Sequence, residues 1–141
     1  MPIKFKLKEP AIKSLYDNAV SGDFECIIKI ADIYNKRNRF NKALEWYIYG
    51  AQKGHEECMR QVCLQVMSTH LLYPIVLRKR IILTALYWAK KHNEFCKTNL
   101  NEEKTEFSAN LTTAIQKIVA TYMFETSSGS MDFENVSVPS M

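Results

Sequence analysis

The sequence predicts an all-α fold, a short α-solenoid of three antiparallel helix pairs whose third pair is irregular. The first observation is a repeat: Ala11, Leu15, Ala19, Gly22, Glu25 and Cys26 recur thirty-two residues on as Ala43, Tyr47, Ala51, Gly54, Glu57 and Cys58. A period in this range marks stacked helical hairpins. The second is that apolar residues on both sides of each repeated glycine recur at spacings of three and four, the period of a helix face. The third is physical: one such hairpin exposes an apolar flank that only a neighbouring hairpin can cover.

Each element has a local cause. Residues 1–9 are read as an irregular lead-in, and Pro10 suits a first helical position, where its missing N–H costs nothing. Ala11, Ile12, Leu15, Tyr16 and Ala19 make the inner stripe of the first helix. Ser21-Gly22-Asp23 ends it, with Gly22 suited to a left-handed end and Asp23 to capping the next helix. The second helix carries Phe24, Ile27, Ile28, Ala31 and Tyr34 and ends in the basic run Asn35 to Arg39. The second hairpin is expected to open at Asn41 as N-cap, to place Ala43, Leu44, Trp46, Tyr47, Gly50 and Ala51 inward, and to turn at Gly54. Its partner helix carries Cys58, Met59, Val62, Cys63, Val66 and Met67.

Leu71-Leu72-Tyr73-Pro74 then breaks the period. A helix is expected from about Ile75 to Asn93, containing Ala85-Leu86-Tyr87-Trp88, which resembles Ala43-Leu44-Glu45-Trp46. Asn101 is placed to cap a last helix, with Glu102 and Glu103 in its first turn and a stripe of Phe107, Leu111, Ala114, Ile115, Ile118 and Tyr122. The repeat domain thus covers 10–125. The polar stretch from Thr126 onward, punctuated by Met131, Phe133, Val136 and Val138, reads as a flexible C-terminal tail, 126–141, that could dock as an extended peptide.

Composition narrows the function. Hydrophobic content of 47% with 24% charged residues fits a globular chain, and the apolar runs are too short to span a bilayer, so no membrane is expected. The N-terminus alternates Lys with apolar residues and lacks the layout of a signal peptide. Cys26 and Cys58 occupy one repeat position, where a small apolar side chain packs between helices, so all four cysteines are read as reduced thiols and the location as cytoplasmic. Nineteen Lys and Arg against thirteen acids give residues 1–125 a charge of +6. This favours an acidic partner but falls short of a dedicated nucleic-acid binder.

Two units that keep an apolar residue and an aromatic early in the first helix, Ala near its end, Gly in the turn and a small residue four on resemble Sel-one-like repeats, relatives of tetratricopeptide repeats. The matching residues are Ala11, Tyr16, Ala19, Gly22, Cys26 and Tyr34, then Ala43, Leu44, Trp46, Tyr47, Ala51, Gly54 and Cys58. The likeness covers 11–66 well and Ala85–Tyr122 loosely. Cys26 and Cys58 stand where Ala is usual, and Ile30-Ala31 and Val62-Cys63 replace Leu-Gly. The resemblance implies a tetratricopeptide-like superhelix without catalysis, whose groove binds a protein or peptide.

The motifs agree with a non-enzymatic module. No phosphate loop, nucleophile elbow or His-Glu-x-x-His motif occurs, and no cofactor is expected. His55 with Cys58 and His92 with Cys96 could share helix faces as soft metal ligands, but no Cys-x-x-Cys knuckle supports them, so no metal site is assigned. A metal protein or enzyme is the weakest alternative. The basic groups Lys36-Arg37-Arg39, Arg78-Lys79-Arg80 and Lys90-Lys91 make a nucleic-acid-associated regulator the second reading. The favoured reading is an adaptor, inhibitor or small effector. Its candidate partner-binding residues are Tyr49, Lys53, Arg78, Arg80, Tyr87 and Lys91, since Tyr49 falls out of phase with its inward neighbours and Tyr, Trp and Arg serve as anchors. A short array also leaves an exposed end through which a homodimer could form.

Overall fold

A computed structural model describes residues 10–99 and 101–125. The expected lead-in 1–9 and tail 126–141 lie outside the described residues, as do the side chains of Ala11 and Ile12. The described residues hold six helices and no strand: α1 (Pro10–Val20), α2 (Phe24–Lys36), α3 (Phe40–Gln52), α4 (Glu56–Thr69), α5 (Ile75–Thr98) and α6 (Glu102–Glu125), with a 3₁₀ turn, His70–Leu72, between α4 and α5. Helices adjacent in sequence pack together: α1 on α2, α2 on α3, and α5 on α6. The described residues divide into two compact units between Gln61 and Val62, inside α4.

In the first unit the thirty-two-residue repeat is realised bond for bond. After α1, the Gly22 N–H donates to the Ala19 carbonyl at 3.0 Å and Asp23 to Asn18 at 3.0 Å; after α3, Gly54 donates to Ala51 at 2.9 Å and His55 to Gly50 at 3.1 Å. This paired closure satisfies helix-end carbonyls and needs a left-handed residue one past the cap. Gly22 has φ +104° and Gly54 φ +90°, so both glycines sit at bends as the spacing predicts. Asp23 then caps α2, its carboxylate accepting the Cys26 N–H at 3.2 Å.

A third copy of this turn was not legible in the repeat. Asn38, at φ 59°, donates to Asn35 at 3.0 Å while Arg39 donates to Tyr34 at 2.9 Å. Asn tolerates the left-handed region better than most side chains. Arg39 therefore closes α2 and opens α3 at once, which moves the start of α3 to Phe40 and puts Asn41 inside its first turn rather than at the expected N-cap.

The core of this unit is narrower than the expected stripes: Leu15, Tyr16, Phe24 and Ile28 are only half-buried. Ala19, Ile27, Ala31, Tyr34, Ala43, Leu44, Trp46, Tyr47, Ala51 and Cys58 are buried, joined by Ile30 and Ile48. Of its polar groups, the Tyr47 hydroxyl donates to Asp32 at 3.0 Å. Burial pushes the Tyr34 hydroxyl up to about 12.

In the second unit α5 runs to Thr98, five residues past the expected Asn93. Glu94 to Lys97 contain no helix breaker, and Cys96 is buried, so packing carries the helix onward. It stops at Asn99, whose side-chain amide donates to the Phe95 carbonyl at 2.7 Å. Asn101 caps α6 as predicted, accepting the Lys104 N–H at 3.0 Å. The α6 stripe differs at its start: Phe107 is exposed and Ser108 is buried, followed by Leu111 and Ile115. The phase is set by Ser108, whose hydroxyl lies 2.8 Å from Nδ1 of the fully buried His92 on α5. A polar pair thus occupies a position where hydrophobicity favours the aromatic. The α4 segment of this unit joins α5 through the Cys63 thiol, which donates to the Ala85 carbonyl at 3.4 Å.

Candidate interaction surface

The candidate residues fall in both units, and each unit builds its share from a tryptophan outward. In α3, Trp46 is fully buried and meets Tyr16 edge-on at 5.8 Å on one side and Tyr49 edge-on at 5.8 Å on the other. Tyr49 is half-buried, and its hydroxyl donates to the Val20 carbonyl at 2.7 Å. That carbonyl belongs to the last turn of α1, where helix carbonyls lack intrahelical donors. Lys53, one turn on, lies 5.1 Å from the Tyr49 ring centre and is itself exposed. An exposed cation over an aromatic face contributes about 0.5–1 kcal/mol.

In α5 the same three residue types recur. Trp88 is buried and meets Tyr87 edge-on at 5.1 Å; Tyr87 is exposed, with Lys91 one turn on at 5.6 Å from its ring centre. Leu83, Leu86, Tyr87, Lys90, Lys91 and Glu94 line an open cleft of about 320 Å³. Ala85 and Trp88 are buried like Ala43 and Trp46, as the sequence likeness suggests. Leu86 is only half-buried where Leu44 is fully buried, and this leaves apolar surface in the cleft.

The two arginines separate. Arg78 spends its guanidinium on backbone: Nε donates to the Tyr73 carbonyl at 2.8 Å and Nη2 to the Leu71 carbonyl at 3.0 Å. It fastens the 3₁₀ turn to α5, a role its placement in a basic run did not reveal. Arg80 is exposed, and its carbonyl accepts the buried Thr84 hydroxyl at 2.9 Å.

Sequence reasoning missed an apolar patch. Leu71, Leu72, Ile75 and Val76 are 65%, 67%, 76% and 85% exposed, with Leu77 beside them at 43%. The available signal was five large aliphatics in seven positions around Tyr73-Pro74, which was read only as a break in the repeat.

The histidine and cysteine pairs are packed groups. His55 stacks on Phe24 at 4.2 Å and its Nδ1 lies 3.2 Å from the Cys58 sulfur. Burial pushes the Cys58 thiol up to about 12 and lowers His55, so thiol and neutral ring are the favoured forms. Cys96 lies 3.6 Å from Nε2 of His92, both buried. His70, in the 3₁₀ turn, sits 3.0 Å from the Tyr122 hydroxyl, and burial together with Arg78 lowers its pKa. All four cysteines are free and buried.

No helix among the described residues is long and apolar enough to cross a membrane. No family model, curated protein or solved structure matches the chain.

Proposed function

We propose that this chain is a non-enzymatic, cytoplasmic protein-interaction module of the Sel-one-like, tetratricopeptide-related kind, a short α-solenoid that binds a protein or peptide segment bearing acidic and apolar side chains. One observation carries the reading: a tyrosine with a lysine over its ring occurs at Tyr49–Lys53 and again at Tyr87–Lys91, each anchored edge-on by a buried tryptophan. Such ridges pair a rigid aromatic face with a cation at little cost in side-chain freedom, which suits an anchor. Leu86 and Lys90 extend the second ridge into a cleft with apolar walls and a rim of Lys90, Lys91 and Glu94. Arg80 belongs to the proposed surface. Arg78 supports it indirectly, through the backbone it holds.

Within the basic run, Arg78 adds little to a nucleic-acid role, since its guanidinium is bound to two carbonyls. Selection of peptides from a random display library tests the proposal. Acidic, apolar-containing binders are expected with the native chain, weakened at least tenfold by Tyr49→Ala with Lys53→Ala or by Tyr87→Ala with Lys91→Ala, about 1.4 kcal/mol. Binders indifferent to both double variants, or steeply salt-dependent binding to RNA or DNA in their place, would reject it.

A further inference from the structure

The Leu71–Leu77 patch is independent of the tyrosine–lysine ridges and is held firmly in place. Buried Tyr73 anchors its middle, Arg78 fixes the Leu71 and Tyr73 carbonyls, and His70 meets Tyr122. Contiguous apolar surface of this kind marks a place where something docks. Its border is basic, with Lys79 and exposed Arg80 following Arg78 directly in the chain. A symmetric pairing of two such patches would bring these cations together, which is unfavourable.

We propose that the occupant is the chain's own segment Met131–Val138, lying extended across Leu71, Leu72, Ile75 and Val76. Three observations support this choice. First, α6 ends at Glu125, one turn after Tyr122, which touches the 3₁₀ turn, so the segment is tethered beside the patch. Six residues from Glu125 to Met131 span up to about 20 Å, while Ile75 to Arg80 rise only about 8 Å along α5. Second, Met131 and Phe133 are spaced by two, the period of an extended strand and not of a helix, so an extended chain presents both on one face, while Val136 and Val138 form a second such pair on the other. Third, Asp132 and Glu134 alternate with Met131 and Phe133, and residues 126–141 contain no Lys or Arg. An extended chain would lay Met131 and Phe133 on the patch, with Asp132 and Glu134 on its outer face within reach of the long side chains of Lys79 and Arg80.

The full chain tests this by paramagnetic relaxation. A nitroxide on Ser137→Cys can be attached selectively, because the four native thiols are buried. The isotope-labelled, spin-labelled protein is diluted into unlabelled native protein, so that only contacts within one molecule are read. Loss of the Leu71, Leu72, Ile75 and Val76 methyl signals is expected. Their recovery is expected when Met131→Ser and Phe133→Ser, or Asp132→Lys and Glu134→Lys, are added. Adding Lys79→Glu and Arg80→Glu to the acid reversal should bring the loss back. The tail substitutions and Arg80→Glu lie outside the buried core, and because Lys79 is half-buried beside Val119 and Tyr122, the charge reversal is read only in protein whose unfolding midpoint matches the parent's. Methyl signals that survive in the parent overturn the proposal. So does broadening seen only when label and isotope are on different copies, which makes a second chain the occupant. Broadening that needs anionic vesicles likewise replaces the tail with a lipid surface.

Discussion

Gly50 of α3 faces Cys58 of α4 so closely that a β-carbon at 50 would stand 2.3 Å from the Cys58 sulfur and 3.0 Å from its β-carbon. The fully buried sulfur fills the space that the missing side chain leaves, with Ile27 at 3.4 Å completing the wall. Gly50→Ala is therefore expected to destabilise the protein by about 1–3 kcal/mol through overpacking. Cys58→Ala in the same chain should recover part of that loss, because it removes the sulfur but leaves the tight β-carbon contact. Urea unfolding of the four members of the cycle measures the coupling, and additive effects would show that the contact is not the cause.

Gly22 and Gly54 present the opposite situation, open space around the missing β-carbon and a positive φ. Alanine at either site should cost about 1–2 kcal/mol from backbone conformation alone. Asn38→Ala should carry a similar penalty, whereas Asn38→Gly should be close to neutral or stabilising. Chemical denaturation of these four variants separates the backbone cost from packing, and a costless Gly54→Ala would contradict the turn described above.

His55 and His70 both have pKa values lowered from 6.5 by burial. As pH falls through 6.5 the unfolded chain takes up protons that the folded rings resist, so the stability from the neutral rings is complete above that value and is lost below it. Unfolding free energy should therefore decline between neutral pH and the carboxylate range. Replacing both rings, His55→Gln with His70→Gln, should flatten the decline in that window. An unchanged slope would assign it to other groups.

Cys58 and Cys63 have thiols pushed up to about 12 by burial, and Cys26 and Cys96 are also buried. Since the thiolate is the reactive form, a thiol-specific reagent at neutral pH should modify none of the four in the folded protein and all four after denaturation. Mass spectrometry of the native sample reads the outcome directly.

Much of the first unit was legible because its turns are written in residue type. Glycine two places after a helical valine or glutamine, followed at Gly22 by the capping Asp23, leaves few conformations open. The start of α3 was harder, since Asn41 is a better N-cap by preference than Arg39, and the turn at Asn38 overrode that preference. Phe107 and Ser108 show the same limit in α6: hydropathy puts the phenylalanine inside, but the buried His92 selects the hydroxyl. Hydrophobic pattern cannot anticipate a polar pair formed between two helices. At the candidate surface, Tyr49 stands out in the sequence by its phase, whereas the contacts of Lys53 and Lys91 with the tyrosine rings exist only once the helices form. Arg78 could not be set apart from Arg80, because their difference lies in carbonyl positions that only the 3₁₀ turn creates.

Gly22, Asn38 and Gly54 are spaced sixteen residues apart, and each turn is sealed by bonds that span no more than six consecutive residues. Closing such short loops takes far less time than forming distant pairings, so the N-terminal half is expected to fold quickly. A ribosome adds about 5–20 residues per second, slow enough for each corner to set before the next helix has emerged. The chain can thus assemble in the order in which it is made.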